Sequence, residues 1–132
     1  PKFVMQLMKY ESPVINGDGT YSRDFTYIDN VIQMNLRAII SNNKEALDTV
    51  YNVAYGERTD LNELVGLLKE YLSVYDPKIT EVPIIHGPNR QGDVPHSLAS
   101  VDKAKKLLGY DPRYDIKSGL KQAVQWYWSH LK

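Results

Sequence analysis

The sequence contains no cysteine among its 132 residues. A disulfide framework, a thiolate metal site and a cysteine nucleophile are therefore excluded. A chain without disulfides fits a reducing compartment, and we expect a cytoplasmic protein.

The chain also lacks a charge excess of either sign and any long apolar run. Sixteen basic residues balance sixteen acidic ones, so the chain lacks the excess positive charge that usually marks a nucleic-acid-binding protein. No apolar run reaches the roughly 20 residues that cross a bilayer as a helix. We expect neither nucleic acid nor a membrane as a partner, and an anionic ligand must be bound by a few placed cations.

Helical periodicity dominates the sequence, with short apolar stretches between the periodic segments. It predicts helices over residues 1–10, 28–40, 61–72, 101–108 and 116–131. Thr59, Ser100 and Asp115 are predicted to cap the starts of the last three helices, and Gly109 is predicted to end the fourth. Short strands are predicted at 14–15, 23–27, 50–54 and 82–85, of which 50–54 is apolar enough for burial on both faces. The chain is thus one α/β domain over 1–132, mostly helical with a few short strands.

Three motifs carry a resemblance to a known family, and their order matters as much as their content. Residues 16–31 read NGDGTYSRDFTYIDNV, and residues 51–54 read YNVA, with alanine where glycine is common. Residues 90–94 read RQGDV and are followed by KAKKLLGY at 103–110. Together these segments resemble the extended short-chain dehydrogenase/reductase family of nucleotide-sugar epimerases and dehydratases. Residues 27–35 and 93–97 are similar to the bacterial UDP-N-acetylglucosamine 4-epimerases of polysaccharide biosynthesis.

The resemblance implies the carboxy-terminal, substrate-binding region of a Rossmann-type enzyme. Its parent would use NAD to oxidise C4 of a UDP-hexose, UDP-N-acetylglucosamine or UDP-glucose, and then reduce the 4-keto intermediate from the other face. The family's Gly-rich NAD-binding turn and its Tyr-x-x-x-Lys pair do not occur in this sequence. We therefore expect no catalytic and no cofactor-binding residue here, an NAD-binding amino-terminal domain in a homodimeric parent, and an inactive fragment when alone.

Two arginines are candidate ligands of the substrate pyrophosphate. A guanidinium group meets phosphate oxygens bidentately, and the family places arginines at the motif positions of Arg23 and Arg90. The alternative is structural: Arg23 pairs with its neighbour Asp24, and Arg90 is a surface charge of a loop.

Three further residues are substrate-binding candidates by resemblance. Asp93 occupies the position that contacts the ribose, and Gly92 beside it allows close backbone approach. Ser97 stands where a small side chain leaves room for an acetamido group, and Lys2 lies near the base of the nucleotide. The alternatives are a solvated loop aspartate and an ordinary loop serine. The three histidines show no metal-ligand spacing, so we expect no metal site.

Rival functions remain open. An NDP-sugar dehydratase or decarboxylase of the same family shares these motifs. A non-enzymatic protein-interaction domain would show no affinity for UDP. The epimerase reading also predicts that surfaces meant for the missing domain are exposed, namely 50–54 and part of 28–40.

Overall fold

The helices of this chain lie where its apolar residues recur at helical spacing. The computed structural model describes residues 1–131. Within them the helices are α1 (Lys2–Met8), α2 (Ile28–Ile40), α3 (Leu61–Ser73), α4 (Asp102–Leu108) and α5 (Ile116–His130). Two 3-10 turns lie at Lys44–Ala46 and Pro77–Glu81. The predicted α/β class, mostly helical with a few short strands, is confirmed.

Four short strands form two separate pairs. They are β1 (Val14–Asn16), β2 (Ser22–Arg23), β3 (Thr59–Asp60) and β4 (Ile85–Gly87). Strand β1 runs parallel to β4, and β2 runs antiparallel to β3. Strand β2 is shorter than the predicted 23–27. Strand β4 begins later than predicted, because Val82 is buried at the end of the second 3-10 turn.

The apolar residues form two clusters rather than one. The larger lies among α1, α3, α5 and the second 3-10 turn, and its buried members are Val4, Leu7, Leu64, Leu68, Leu72, Ile79, Val82 and Val124. The smaller joins α2 to α4 through Met34, Ala46, Ala54, Val101, Ala104, Leu108 and Tyr110. The contacts of β2 with β3 tie the chain before α2 to the start of α3.

Local capping chemistry sets several helix ends. The Asp115 carboxylate accepts a hydrogen bond from the Ser118 backbone N–H at 2.7 Å, as predicted for the start of α5. The Ser118 hydroxyl also donates to this carboxylate, and that bond lowers the pKa of Asp115. Gly109 ends α4 with φ 63°, the left-handed conformation that glycine adopts without steric cost.

The predicted caps of α3 and α4 were wrong. Asp60, not Thr59, accepts from the third backbone N–H of α3, while Thr59 pairs with Arg23 in the β ladder. Helix α4 begins at Asp102 with Val101 as its cap residue, so Ser100 lies outside it.

The predicted buried strand at 50–54 was also wrong. No strand within residues 1–131 pairs with it, and Val50 is 85% exposed. Side chains satisfy its backbone carbonyls instead: Lys103 donates to Val50 O at 3.0 Å and Tyr110 to Ala54 O at 2.8 Å. A parallel strand requires a neighbour for its ladder, and an apolar pattern cannot supply one.

Helix α2 leaves much of its apolar surface in contact with solvent. Its exposed large hydrophobic residues are Ile28, Ile32, Leu36, Ile39 and Ile40. The predicted exposure of part of this helix is confirmed. For 50–54 the predicted exposure holds at Val50 but is wrong at Ala54, which is 3% exposed and belongs to the smaller cluster. None of the helices described in residues 1–131 combines the length and apolarity needed to cross a membrane.

Candidate functional site

The site is built where the loop after β4 returns to the edge of β2. Ser22 and His96 form a parallel bridge. The Ser22 N–H donates to Pro95 O at 2.9 Å, and the Ser97 N–H donates to Ser22 O at 3.1 Å. The loop, residues 88–97, is therefore attached to β2 by backbone hydrogen bonds on both sides of one serine.

This attachment brings Arg23 and Asp93 together from two distant motifs. The Arg23 Nη2 atom lies 2.5 Å from Asp93 Oδ1, and the two side chains remain 30% and 25% exposed. The Arg23 Nη1 atom also donates to Ser22 O at 2.8 Å and to Pro95 O at 3.4 Å. The guanidinium group is thus oriented before any ligand arrives, and its partly exposed donors can still meet an anion.

Arg90 and Ser97 lie on the same loop but make no comparable side-chain contacts. Both are exposed. The Asp93 N–H donates to Arg90 O at 3.2 Å, which closes a turn in which Gly92 has φ 78°. Within the part of the chain that the structure describes, the Arg90 guanidinium has no hydrogen-bond or ion-pair partner. The site therefore presents one fixed cation, Arg23 on β2, and one unpaired cation, Arg90 on the loop.

Lys2 is not brought into contact with this cluster. It lies with α1 at the rim of a largely apolar groove of ≈ 500 Å³ between α1, α3, α5 and the segment that precedes α2. Asp115 also lines this groove, whereas Arg23, Arg90, Asp93 and Ser97 do not.

Asp24 does not form the local pair with Arg23 that was the structural alternative. Its carboxylate accepts hydrogen bonds from the backbone N–H groups of Tyr55 at 3.2 Å and Gly56 at 3.1 Å. Arg23 pairs instead across 70 residues of sequence with Asp93. The local ion-pair reading of Arg23 is wrong, because neighbouring residues of an extended segment point to opposite sides.

Two glycines of the first motif have a backbone conformation that favours glycine, and each lies against an asparagine side chain. Gly17 and Gly19 have φ of 69° and 80°. A Cβ atom on Gly19 would lie 2.2 Å from Asn62 Oδ1, and one on Gly17 would lie 2.0 Å from Asn89 Oδ1. Asn62 also donates to Asp18 O at 2.9 Å. The side chains of Asn62 and Asn89 therefore cover the turn before β2.

Sequence reasoning missed the pairing of Ser22 with His96. The Ser22 Oγ atom lies 2.9 Å from His96 Nδ1, although the residues are 74 apart in sequence. No local pattern in the sequence indicates that His96 has this partner. Among residues 1–131, no group of three or more His, Asp or Glu side chains is placed to hold a metal ion.

Comparison with known proteins places the fold and the motifs in one family. The family model described as GDP-mannose 4,6 dehydratase matches residues 1–123. The chain is 34% identical to a UDP-glucose 4-epimerase of Thermotoga maritima solved with UDP-glucose, with a TM-score of 0.85 over 99% of this chain and 39% of that one.

Two further solved structures are similar. A UDP-N-acetylglucosamine 4-epimerase of Methanobrevibacter ruminantium, in complex with UDP-N-acetylmuramic acid, is 30% identical with a TM-score of 0.84 over 98% of this chain and 38% of its own. MoeE5 in complex with UDP-glucose and NAD is 26% identical with a TM-score of 0.83 over 99% and 41%.

The chain spans only part of the proteins that it matches. It covers about two fifths of each of these solved chains, and 37% and 27% of the length of two curated relatives. The match of the family model over residues 1–123, together with the shared fold, shows that this chain belongs to the GDP-mannose 4,6 dehydratase family, within the extended short-chain dehydrogenase/reductases that the sequence motifs resemble.

Proposed function

We propose that this chain is the nucleotide-sugar-binding domain of an NAD-dependent UDP-hexose 4-epimerase. The observation that carries the proposal is the Arg23–Asp93 pair, which joins two motif segments at one edge of β2. The solved epimerases named above support a UDP-sugar as the substrate class. A cytoplasmic, homodimeric parent enzyme is part of the same proposal.

The proposed roles follow from the chemistry of each side chain. Arg23 and Arg90 bind the pyrophosphate, because a fixed guanidinium fork and a second unpaired one can neutralise two adjoining phosphates. Asp93 accepts hydrogen bonds from the ribose hydroxyls through the carboxylate oxygen that Arg23 leaves available. Ser97 leaves space beside the sugar, and Lys2 lies near the base.

The substrate must compete with contacts that already exist in the site. Arg23 is paired with Asp93 at 2.5 Å, so phosphate oxygens share a guanidinium group that is partly neutralised. The competing carboxylate lowers the gain from each new hydrogen bond, while the pre-oriented fork reduces the entropy lost on binding. We therefore expect Arg90, which has no competing carboxylate, to contribute to affinity at least as much as Arg23.

We propose UDP-N-acetylglucosamine as the preferred sugar. Ser97 is exposed at the loop end and carries a small side chain, which leaves room for an acetamido group. The similarity to an N-acetylglucosamine epimerase supports this choice. UDP-glucose is the alternative sugar.

NAD would be held by another domain of the parent protein. None of the strand-to-helix turns in residues 1–131 carries the glycine-rich pattern that cradles a dinucleotide pyrophosphate. When bound, NAD would supply the acceptor and donor of the hydride at C4 of the sugar. The residues of this chain would bind and orient the UDP-sugar, and the chain alone would not catalyse the reaction.

The surface for that domain is proposed to be the exposed face of α2 with the exposed end of the segment 50–54 at Val50. Ile39 is 79% exposed and Val50 is 85% exposed. Apolar surface of this kind on one face marks a site of protein contact. The unpaired apolar segment at 50–54 would gain the strand neighbour that it lacks here.

A second candidate function is an NDP-sugar 4,6-dehydratase. It is favoured by one specific observation, the description of the matching family model. Both functions require the nucleotide to be bound in the same way. Incubation of the parent enzyme with UDP-N-acetylglucosamine separates them, because an epimerase gives the C4 epimer and a dehydratase gives a 4-keto-6-deoxy sugar.

The binding proposal is tested by calorimetric titration of the chain with UDP-N-acetylglucosamine and with NAD. We expect the UDP-sugar to bind and NAD not to bind. Arg23→Ala and Arg90→Ala should each weaken UDP-sugar binding about tenfold or more, the effect of a lost charged hydrogen bond. The matched control Arg113→Ala removes an exposed arginine outside the loop and should leave binding unchanged.

Two further variants separate charge from geometry. Arg23→Lys keeps the positive charge but loses the fork, so it should bind more weakly than wild type. Asp93→Asn frees the guanidinium group while it keeps an acceptor oxygen. If wild type does not bind at millimolar concentration, the titration is repeated with the chain joined to an NAD-binding domain, and failure there refutes the proposal.

A further inference from the structure

The loop that carries the substrate-binding residues depends on a side-chain pair outside that set. Arg90, Asp93 and Ser97 all lie on residues 88–97, which contact β2 only along a short edge. The hydrogen bond between Ser22 Oγ and His96 Nδ1, at 2.9 Å, lies at this edge. It joins the loop to a strand residue that is itself paired with β3.

The position of this pair is central to the site. Ser22 immediately precedes Arg23, and His96 immediately precedes Ser97. Ser22 is only 8% exposed, and its backbone N–H and C=O both bond to the loop. The loop is thus held at Ser22 by three hydrogen bonds, of which one is made between side chains.

The chemistry of the pair suits a structural link better than a catalytic one. Ser22 is buried as a residue, and its hydroxyl is already bonded to the His96 ring. A hydroxyl group can donate or accept, so the bond to His96 is satisfied by either ring tautomer. In residues 1–131 no carboxylate is bonded to the other ring nitrogen, so the arrangement lacks the third group that orients a catalytic histidine.

We propose that Ser22 and His96 are positioning residues that hold the 88–97 loop so that Asp93 meets Arg23 and both face the nucleotide sugar. This inference rests on the proposed function for its ligand, but its geometric part is independent of that ligand. Loss of this bond leaves the two backbone hydrogen bonds at Ser22 in place but loosens the loop, so a smaller fraction of molecules has a formed site and binding weakens by that fraction.

The first arm of the test measures amide hydrogen exchange by NMR without ligand. Ser22→Ala and His96→Leu should each reduce protection of the Ser97 N–H about fivefold, since that group bonds to the strand through Ser22 O. His96→Asn should keep protection near the wild-type level, because its amide can place a polar atom where the imidazole Nδ1 stands. The matched control His130→Leu changes a histidine whose ring bonds only to its own helix.

The second arm measures UDP-N-acetylglucosamine affinity by calorimetry. Ser22→Ala and His96→Leu should each raise Kd about fivefold, the effect of one neutral hydrogen bond. The double variant should be no weaker than the worse single variant, since both remove the same bond. His96→Asn should restore the affinity, which a general loss of stability would not allow.

The outcomes distinguish this inference from the proposed function. Unchanged exchange in both single variants, additive losses of affinity, or an Asn variant that behaves like the Leu variant would each overturn the positioning role. If the exchange pattern is as expected while wild type binds no UDP-sugar, either alone or joined to an NAD-binding domain, the loop link stands and the UDP-sugar assignment fails.

Discussion

Asn30 offers the sharpest test of how the helices of this chain are held together. Its side chain is 1% exposed and lies on α2. The Nδ2 group donates to Tyr114 O at 2.8 Å, and Oδ1 accepts from the N–H groups of Arg113 at 2.9 Å and Tyr114 at 3.2 Å. One amide thus satisfies three backbone groups of the turn that leads into α5.

The substitution Asn30→Leu keeps the approximate volume but removes all three hydrogen bonds. A buried backbone group left without a partner costs about 1–3 kcal/mol. Arg113 is exposed and Tyr114 is half-buried, so water can reach part of the turn and the lower value applies to each group. We expect the free energy of unfolding to fall by about 3 kcal/mol, which lowers Tm by roughly 10 °C for a chain of this size.

Urea denaturation followed by circular dichroism measures this change. The control is Asn35→Leu, the same substitution at an exposed position of the same helix, which should stay within about 0.5 kcal/mol of wild type. The slope of the transition should be unchanged in both variants. A loss from Asn30→Leu no larger than that from Asn35→Leu would refute the three-bond account.

Four further substitutions give predictions of definite sign. Gly119→Ala should destabilise the chain by about 1–3 kcal/mol, because its Cβ would lie 2.8 Å from Tyr27 Cβ. Gly66→Ala, with no atom within 4 Å of the new Cβ, should stabilise the chain by about 0.5–1 kcal/mol. If urea denaturation shows the same sign of change in unfolding free energy for both glycine variants, the packing described at Gly119 and Gly66 is contradicted. Asp115→Ala should cost about 1 kcal/mol at neutral pH. Because the folded pKa of Asp115 is lowered from 3.8, this difference is complete above that pH and shrinks as pH falls through the folded pKa, since the protonated carboxyl group is a weaker acceptor; a difference that stays constant in acid refutes the charged cap. The exposed α2 face predicts self-association, and Ile39→Lys should reduce the mass found by light scattering; a monomeric wild type would count against it.

The sequence by itself determined the elements whose signals are local. Helix α2 begins and ends at the predicted residues 28 and 40. The cap of α5 at Asp115 and the left-handed Gly109 were also predicted correctly. These features depend on contacts between residues three or four apart, so spacing along the chain is sufficient to reveal them. The motif order was likewise enough to indicate the family.

Strand assignment required knowledge of the neighbours. The apolar stretch 50–54 has the composition of a buried parallel strand, yet no strand of residues 1–131 pairs with it and Val50 is exposed. A strand is defined by a ladder with another segment, and no property of the stretch itself reveals whether that segment is present.

Only the tertiary structure decided how the candidate site is assembled. Resemblance indicated Arg23 and Asp93 as ligands of one substrate, but their direct pairing across 70 residues was not predicted. The Ser22–His96 bond spans 74 residues, and the buried contacts of Asn30 span more than 80. Sequence patterns record which side chains can form a bond. Whether two such side chains meet depends on the chain topology. The segment of 70 or more residues between them must fold so that its two ends come together.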